Sequence, residues 1–506
     1  MSLKTFSISS LKFLILAAAL MAAVLAAAFG ATTNGPLFVL LGLGATVGVV
    51  IALDYRLLTM VTLFGGMVVS GVTQLYIPQI ELIRWAFTAS ALLLLVHVVY
   101  EANKSNTLSF RLESGIMFWI LLFVVVLLSS AILQGVSLGV AIISMKGYLQ
   151  VWGVYFALAL LPWTYEQIKR GPSFLLIVTL IQIPFVLHQY FILVPLRSGI
   201  TEVAGLVPID IVSGTFGGKI NHGGANAALT LLCFITAAGL LNFWKNGLIS
   251  TRRFLVIVAL VAFPTFINST KISIFYLIGV LFMTYYDEIH INPFKFLMRL
   301  LVALMLCLLL ALSVINSMPE GSQVNSLRDL YEQTYSYNIE EDNIRDNRLS
   351  RSGTIKAWVN PVKPHRLKDM VVGYGVGSSR IIESDAGRRI SNNINVERPT
   401  GVTALAALIW ETGIIGLLTV FMLFFTAFAV ATKLKRIYKQ DPFQYSIFTA
   451  AQSAVVIMFI SLAHKSFFTF HIGFQTVFVI LFGYLTYWER QVAAGKSKLL
   501  TDQSAS

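Results

Sequence analysis

Charged residues and cysteines are scarce in this chain. Only 12% of its 506 residues are Asp, Glu, Lys or Arg, whereas 57% are hydrophobic; in a soluble globular chain about a quarter of the residues are charged. So few charges cannot cover a water-exposed surface, which excludes a soluble enzyme, and the same numbers exclude a disordered chain or a coiled coil. The two cysteines, Cys233 and Cys307, both lie in apolar runs. Their number and placement exclude a disulfide framework and a zinc-ligand spacing.

Long apolar runs are abundant, and they predict an all-α polytopic membrane protein. A spanning helix needs about 20 apolar residues. About fourteen segments qualify by hydropathy: 12–30, 36–53, 57–77, 82–100, 115–133, 138–162, 173–195, 224–244, 254–268, 271–286, 296–316, 402–431, 443–463 and 470–488. The pair 254–268 and 271–286 is short and Pro264 interrupts the first, so a broken hairpin around Asn268-Ser269-Thr270 is the alternative to two tilted helices.

The distribution of Lys and Arg predicts the orientation. Short cytoplasmic loops carry an excess of these residues. With the N-terminus inside, nineteen of them fall on the inner side and five on the outer side, namely Arg84, Arg197, Lys219, Lys271 and Lys465. The sequence therefore predicts that both termini are cytoplasmic. The net charge of +13 follows the same rule and requires no nucleic acid. The first span resembles a signal peptide in its small residues, but its length favours retention.

One long hydrophilic segment, residues 317–400, interrupts the spans. It holds twelve basic and eleven acidic residues, and it lies on the predicted outer side, since long loops translocate largely regardless of charge. A structureless connection of this length is unusual. We therefore predict a small folded cap with helices at 326–335 and 351–359. The chain divides into a helix bundle at 1–316, the cap at 317–400, further spans at 401–490 and a disordered cytoplasmic tail at 491–506.

The outer loop at 213–226, which leads into the span at 224–244, is rich in glycine. Glycine lets backbone amides approach a ligand closely, and successive amides form anion-binding concavities. Lys219 adds positive charge, and the start of the following helix adds a positive dipole end. These features predict a phosphate or sugar site with Lys219, beside which His222 is a candidate base; a flexible turn is the alternative.

Charged residues at membrane depth are costly, so each is a candidate for function. Lys271 follows Asn268-Ser269-Thr270 at an outer helix end, where it either reaches water as an anchor or faces a diphosphate. Lys146 lies several residues inside the sixth span, which favours a polar cavity or a partner. Glu411 lies inside the twelfth span, and it is either a base or the counter-ion of Arg398 or Lys271.

The sequence predicts neither a metal nor a cofactor. No pair of histidines has metal-ligand spacing, and no acidic pair of the DxD kind stands out. The glycine-rich run at 373–377, between Arg351 and Arg380, matches a nucleotide-binding loop only superficially, because no dinucleotide-binding fold surrounds it.

Four segments, in order, resemble the O-antigen ligase and O-antigen polymerase (Wzy-type) family of membrane glycosyltransferases. They cover roughly residues 200–430 and consist of Gly214-Thr215-Phe216 with Asn221 and Ala225-Asn226, Ser269-Thr270-Lys271, the outer segment with Arg351, Trp358 and Gly373-Tyr374-Gly375-Val376-Gly377, and residues 404–416 with Glu411. The resemblance implies a GT-C-like fold and a glycosyltransferase at the outer face of the bacterial inner membrane. It also implies a glycan donor on undecaprenyl diphosphate, basic residues that hold the diphosphate, and a metal-independent reaction.

Two departures favour the polymerase branch of that family. The histidine that the ligases carry ahead of the closing helix is absent, and Val402 lies near its place. The arginine that precedes the Gly-Thr-Phe element is replaced by Ile211, and Lys219 is its candidate substitute. We therefore expect a polysaccharide polymerase that joins undecaprenyl diphosphate-linked repeat units.

In this hypothesis a set of basic residues neutralises the leaving diphosphate. The set consists of Lys219, Lys271, Arg351, Arg380 and Arg398, with Lys146 as a further candidate for substrate binding. The base stays open among Glu411, Glu397, Asp385 and His222. The expected partners are the lipid-linked donor and acceptor, membrane lipid and other polysaccharide-assembly membrane proteins. The alternatives are an O-antigen ligase that transfers glycan to lipid A core or another acceptor, and a lipid-linked oligosaccharide flippase or secondary transporter.

Overall fold

The computed structural model describes residues 48, 51–80, 83–104, 114–198, 207–221, 223–316, 326–335, 338–339, 350–359, 366–379 and 400–495. The predicted span 12–30 lies outside the described residues, as do most of 36–53 and most of the predicted disordered tail. His222, Arg380 and Arg398 also lie outside them, together with Glu397 and Asp385.

The described residues form an all-α protein with a single two-stranded hairpin. The helices of the first half are α1 Tyr55–Phe64, α2 Ser70–Tyr76, α3 Ile83–Lys104, α4 Gly115–Leu133, α5 Leu138–Leu149, α6 Trp152–Leu160, α7 Tyr165–Lys169 and α8 Gly171–His188. The hairpin pairs β1 Gly218–Lys219 with β2 Gly223–Gly224 in antiparallel register. The helices after it are α9 Asn226–Lys245, α10 Thr251–Asn268, α11 Ser273–Tyr285, α12 Glu288–Ile291, α13 Pro293–Asn316, α14 Leu327–Tyr335, α15 Arg351–Val359, α16 Leu367–Val372, α17 Ala404–Ile437, α18 Pro442–Leu462 and α19 Ile472–Ala493.

Nine helical runs among the described residues are long and apolar enough to cross a membrane. This confirms an all-α, multi-pass membrane protein. The runs differ in their burial: 72% of the apolar window of α18 and 67% of that of α9 are buried inside the protein, against 17% for α13. Helices α9 and α18 therefore form the centre of the bundle, while α13 turns most of its apolar surface outward. The end of the bundle that carries the connections predicted to face outward is called the outer end below.

The predicted span at 138–162 is not one helix. It breaks between α5 and α6, where Val151 leaves helical geometry (φ −127°, ψ 14°). Backbone carbonyls freed at such a break need partners inside a membrane. Here the Gln475 amide donates to the Gly147 carbonyl at 2.6 Å, and the Gln150 amide donates to the Phe470 carbonyl at 2.7 Å. The expectation of a continuous span was wrong because the distant Gln475 side chain satisfies a carbonyl at the break and Gln150, within the break, bonds to the Phe470 carbonyl.

The segments at 254–268 and 271–286 form two helices, α10 and α11. The first runs through Pro264 without a break and ends at Asn268, which membrane helices tolerate when neighbours satisfy the freed backbone groups. Ser269 then adopts the left-handed conformation (φ 49°) as the one non-glycine described residue with positive φ. This sharp turn places Lys271 just before α11 at the outer end.

Both short helices predicted in the long hydrophilic segment are present, as α14 and α15. Helix α15 lies against the first turns of α17, where Trp358 joins a buried cluster with Trp410 and the Trp410 indole donates to the Thr354 carbonyl at 3.1 Å. The additional helix α16 packs against α4 and α17. These contacts hold Arg351, the first residue of α15, over the outer end of the bundle.

Candidate functional site

Three basic side chains surround a single aspartate at the outer end, and a fourth lies beside one of them. Lys465, Arg197 and Lys271 all act electrostatically on the Asp210 carboxylate. Arg351 in turn acts on Lys271, and both Arg351 and Lys465 act on the His464 imidazole. We call Arg197, Asp210, Lys271, Arg351, His464 and Lys465 the Asp210 cluster.

The members of the Asp210 cluster come from different parts of the chain, except the neighbours His464 and Lys465. Arg197 lies in the last turn of the helical run that begins at Tyr165 and ends at Ser198, and Asp210 lies in the short 3₁₀ turn Pro208–Ile211. Lys271 follows the turn after α10, and Lys465 follows α18. The fold thus brings together residues that are far apart in the chain, as expected for a site built on connections that rigid helices position.

Arg197 is the deepest member of the cluster. It has no exposed surface, and its Nη1 donates to the Pro208 carbonyl at 3.1 Å. Its Nε and Nη2 are buried without an acceptor among the described residues. A buried guanidinium without a full set of acceptors is costly, so its charge is available to an anion beside it. The other cluster members are partly exposed and line a region that solvent reaches.

A chain of side-chain hydrogen bonds links Asp210 with the turn that carries Lys271. The Asn226 amide donates to Asp210 Oδ1 at 3.3 Å. The Asn268 amide donates to the Asn226 carbonyl at 3.3 Å, and Asn268 Oδ1 accepts from the Thr270 hydroxyl at 3.0 Å. Because Asn268 and Thr270 are buried, these bonds hold the turn in place and set the position of Lys271 relative to Asp210.

Burial and neighbouring charges shift the pKa values of three cluster members. Burial raises the pKa of the Asp210 carboxyl above its ordinary value of 3.8, against the opposing effect of Lys465, Arg197 and Lys271. Burial and the nearby Arg351 lower the pKa of Lys271 below its ordinary 10.5. Burial, Arg351 and Lys465 together hold the pKa of His464 well below its ordinary 6.5, so this imidazole is neutral at physiological pH.

The segment Gly214-Thr215-Phe216 is a buried part of the core. The side-chain oxygen of Gln189 accepts from the amides of Ser213 at 2.9 Å and Gly214 at 2.7 Å. The Gln182 side-chain oxygen accepts from the amide of Thr215 at 2.7 Å. The expectation that the amides of this segment face an anion was therefore wrong for these three, because two glutamines use them to fix the segment inside the bundle.

In the hairpin after this segment, Lys219 faces solvent and Gly223 lies beside the Asp210 cluster. Lys219 is exposed in β1, so its ammonium group is open to solvent. Gly223, its partner in β2, lies beside the Asp210 cluster: a Cβ at this position is 3.6 Å from Asp210 Cβ and 3.8 Å from Arg197 Nη2. The hairpin thus covers the buried side of the cluster with a residue that has no side chain. A role for Lys219 in substrate binding stays a prediction.

Glu411 is fully buried and accepts hydrogen bonds from three uncharged donors. The Tyr148 hydroxyl donates to Oε2 at 2.9 Å and the Gly377 amide donates to the same oxygen at 2.8 Å. The Ser379 hydroxyl donates to Oε1. A carboxylate with these contacts joins α5, α17 and the glycine-rich run of the outer segment. This geometry favours a structural role for Glu411, and a catalytic role stays a prediction.

The glycine-rich run at 373–377 packs on a break in α17. Gly413 adopts φ 66° and ψ −163° inside that helix, which frees backbone carbonyls just before it. The Trp410 carbonyl accepts from the Tyr374 amide at 2.8 Å, and the Glu411 carbonyl accepts from the Ser130 hydroxyl at 2.6 Å. The glycines therefore serve close backbone packing, in agreement with the superficial nature of the nucleotide-loop match.

Lys146 lies elsewhere at the outer end. Its ammonium group is 4.2 Å from the centroid of the Trp85 ring, a distance typical of a cation–π contact. The Trp85 ring is therefore a partner of the kind expected for a lysine inside a predicted span. A role for Lys146 in binding substrate stays a prediction. His222, Arg380 and Arg398 lie outside the described residues, and their predicted roles are untested.

Sequence reasoning selected Lys271 and Arg351 but missed Arg197, Asp210, His464 and Lys465 as site residues. A signal for two of these was present: Arg197 and Lys465 belong to the five basic residues that lie on the predicted outer side against the usual charge distribution. Asp210 had no local signal, because its role depends on residues distant in sequence. Comparison of the chain with protein-family models and with curated proteins finds no match in either case.

Proposed function

We propose that this protein is a polysaccharide polymerase that joins undecaprenyl diphosphate-linked glycan repeat units at the outer face of the bacterial inner membrane. The observation that carries the proposal is the Asp210 cluster. In it, three cations from separate parts of the chain act on one carboxylate, and a fourth, Arg351, acts on Lys271 and His464. A diphosphate brings negative charges that such a cluster can neutralise. The helices on either side of Lys271 expose apolar side chains, among them Phe266 and Phe275, which are suited to a polyprenyl chain.

The cluster provides electrostatic catalysis in this proposal. As the bond between the sugar and the diphosphate breaks, negative charge develops on the leaving group, and cations held in place stabilise that charge without moving. Lys271, Arg351 and Lys465 have exposed surface with which to contact the diphosphate. Lys219, Arg380 and Arg398 are proposed to extend the same binding surface, and the reaction is proposed to need no metal.

The proposal includes a membrane topology. The chain crosses the membrane about fourteen times by the hydropathy rule, with both termini in the cytoplasm and residues 317–400 as an outer cap. The contact between the Lys271 ammonium and the Thr334 hydroxyl at 3.2 Å supports the cap, because it joins α14 of that segment to the cluster. The contact between the Arg351 guanidinium and Asn338 Oδ1 at 2.7 Å supports a folded cap, because it joins two parts of the same segment.

Deletion of the gene followed by electrophoresis of the surface glycan tests the proposal. Loss of a polymerase leaves single repeats and removes the ladder of longer chains. A ladder that persists on its lipid carrier without transfer to the final acceptor indicates the ligase instead, and accumulation of untranslocated repeats at the inner face indicates the flippase. An unchanged glycan contradicts all three.

Complementation of the deletion links the activity to the cluster. We expect wild-type protein to restore the ladder and the double variant Lys271→Gln/Arg351→Gln to leave single repeats. The matched control is Arg436→Gln/Lys439→Gln, which removes two exposed cations at the predicted inner end. A ladder restored equally by all three proteins contradicts the role of the cluster.

A further inference from the structure

We propose that Asp210 is the general base of this glycosyl transfer and that Arg197 positions it. This inference rests on the proposed function, since it assigns a step within that reaction. The acceptor sugar hydroxyl must lose a proton as its oxygen attacks the anomeric carbon of the donor. The base for this step has to lie beside the cations that hold the diphosphate, because the donor's reacting carbon is one bond away from the first phosphate oxygen.

Among the described groups at the outer end, the geometry favours Asp210 over Glu411 and His464. The Glu411 carboxylate is fully buried and already accepts three hydrogen bonds from the protein, so an acceptor hydroxyl has no access to it. His464 lies between Arg351 and Lys465, and a proton gained there adds a third positive charge. The Asp210 carboxylate accepts only one side-chain hydrogen bond from the described residues, and a proton gained there removes a negative charge from a crowded site.

The contacts of Asp210 hold its carboxylate in position and leave most of its hydrogen-bond acceptor capacity unused by the described residues. Its carboxylate accepts one side-chain hydrogen bond, from Asn226 at 3.3 Å. None of the ion pairs found among the described residues includes Asp210. An aspartate that only balances charge is expected to contact its cations directly. Here Lys465, Arg197 and Lys271 act on the carboxylate electrostatically.

Arg197 is the cation whose guanidinium has the fewest contacts open to it other than Asp210. Its side chain is fully buried, with Nη2 beside Gly223 and close to the Asp210 side chain. It cannot turn toward solvent, whereas Lys271, Arg351 and Lys465 are partly exposed. We therefore assign to Arg197 the task of keeping the carboxylate ionised and oriented while the other cations engage the diphosphate.

In the transfer step the acceptor oxygen forms a bond to the anomeric carbon, and the bond from that carbon to the diphosphate oxygen breaks. The electron pair of the broken bond leaves with undecaprenyl diphosphate, and the hydroxyl proton moves to a carboxylate oxygen of Asp210. Water then takes the proton from Asp210 and restores the carboxylate.

Donor binding prepares Asp210 for this role. In the free protein, Lys465, Arg197 and Lys271 favour the ionised carboxylate. When a diphosphate binds to the exposed cations, its negative charge opposes them, and the proton affinity of the nearby carboxylate rises. The base therefore becomes stronger when the donor is present.

The test compares Asp210→Asn with Asp210→Glu and with Asp369→Asn in purified full-length protein in lipid nanodiscs. Asp369 is a matched control, because its half-buried carboxylate lies at the same outer end and accepts from the Gln134 amide at 2.9 Å. Turnover is measured with lipid-linked repeats extracted from the deletion strain, and binding is measured with undecaprenyl diphosphate that carries no glycan. General-base catalysis contributes roughly 10²–10⁴-fold to a rate.

We expect Asp210→Asn to lower kcat by about a hundredfold or more while it binds undecaprenyl diphosphate at least as tightly as wild type, since it removes a negative charge from the cationic site. Asp210→Glu should retain part of the activity, and Asp369→Asn should keep the wild-type kcat. The acidic limb of the wild-type pH profile should disappear in Asp210→Asn. The titratable and charged groups that face Asp210, namely Arg197, Lys271 and Lys465, are unchanged in this variant.

Two results overturn the inference. One is a kcat for Asp210→Asn within a fewfold of wild type. The other is a parallel loss of undecaprenyl diphosphate binding and thermal stability in Asp210→Asn, which indicates a structural aspartate. Failure of the proposed function itself gives a different pattern, because wild-type protein then shows no elongation of the lipid-linked repeats and no binding of undecaprenyl diphosphate.

Discussion

Carboxylates at the outer end of the bundle differ in what surrounds them. Glu411 accepts hydrogen bonds from a hydroxyl of α5 and from two groups of the outer segment. Its negative charge is therefore stabilised by hydrogen-bond donors of the protein itself. Asp210 has one weak side-chain donor and several cations that act on it electrostatically. The same functional group therefore stabilises structure in one place and is placed for chemistry in the other.

Replacement of Glu411 tests its structural role. Glu411→Ala leaves the Tyr148 hydroxyl, the Gly377 amide and the Ser379 hydroxyl buried without their acceptor, at a cost of about 3 kcal/mol or more. We expect a lower melting temperature in detergent and faster proteolysis of residues 366–379. The control is Asp369→Ala. The Asp369 carboxylate is half-buried, so its loss should lower the melting temperature less. Equal melting temperatures for Glu411→Ala and wild type contradict this role.

The lowered pKa of Lys271 predicts that the affinity for the donor depends on pH. A lysine whose pKa lies below 10.5 loses its charge at a lower pH than an ordinary lysine does. Donor binding should therefore weaken as the pH rises through this lowered value. Lys271→Arg keeps its charge at every accessible pH, so its affinity for undecaprenyl diphosphate should stay constant over the same range. The same alkaline weakening in both proteins contradicts a contribution from Lys271.

For single residues, the sequence indicated which ones were unusual but not which of them lie close together in the fold. Lys271 and Arg351 are charged residues at outer ends, and that position alone marked them as candidates. Asp210 lies in a short turn with no motif around it, and only the fold brings it to Lys465, more than two hundred and fifty residues away. Pairings over such distances leave no trace in local patterns.

Most helices that hydropathy predicts are present within a few residues of their predicted ends, because the length of an apolar run directly reflects membrane thickness. The departures are breaks: between α5 and α6, and at Gly413 within α17. A break depends on side chains or loops elsewhere that satisfy the freed carbonyls, as Gln475 and Tyr374 do here. Composition within the helix cannot reveal those partners.

Gly413 provides a test at the scale of an element. Its backbone conformation is essentially restricted to glycine, and a Cβ there would lie 2.5 Å from the Gly373 nitrogen and the Val371 oxygen. We expect Gly413→Ala to destabilise the protein by about 2 kcal/mol or more and to abolish glycan elongation. Gly239→Ala is the matched control, since it lies in α9 with open space around it. Equal melting temperatures for the two variants contradict this account of the break.

At the scale of the whole molecule, the orientation in the membrane decides which compartment the Asp210 cluster faces. Lys219→Cys and Lys439→Cys place thiols at exposed positions on the predicted outer and inner ends. In spheroplasts, a membrane-impermeant maleimide should label Lys219→Cys and should leave Lys439→Cys unlabelled until the cells are lysed. Wild-type protein is the control, because Cys233 and Cys307 both lie within membrane helices. The opposite labelling pattern contradicts the proposed topology.

The central claim is that the Asp210 cluster binds a lipid-linked diphosphate. Its most direct test is the affinity of purified protein in nanodiscs for undecaprenyl diphosphate, measured for wild type, Lys271→Gln/Lys465→Gln and the control Arg436→Gln/Lys439→Gln. Each lost charge-assisted contact weakens binding by roughly tenfold. We predict an affinity about a hundredfold lower for the cluster variant, with wild-type affinity in the control. Equal affinities of all three proteins would contradict the claim.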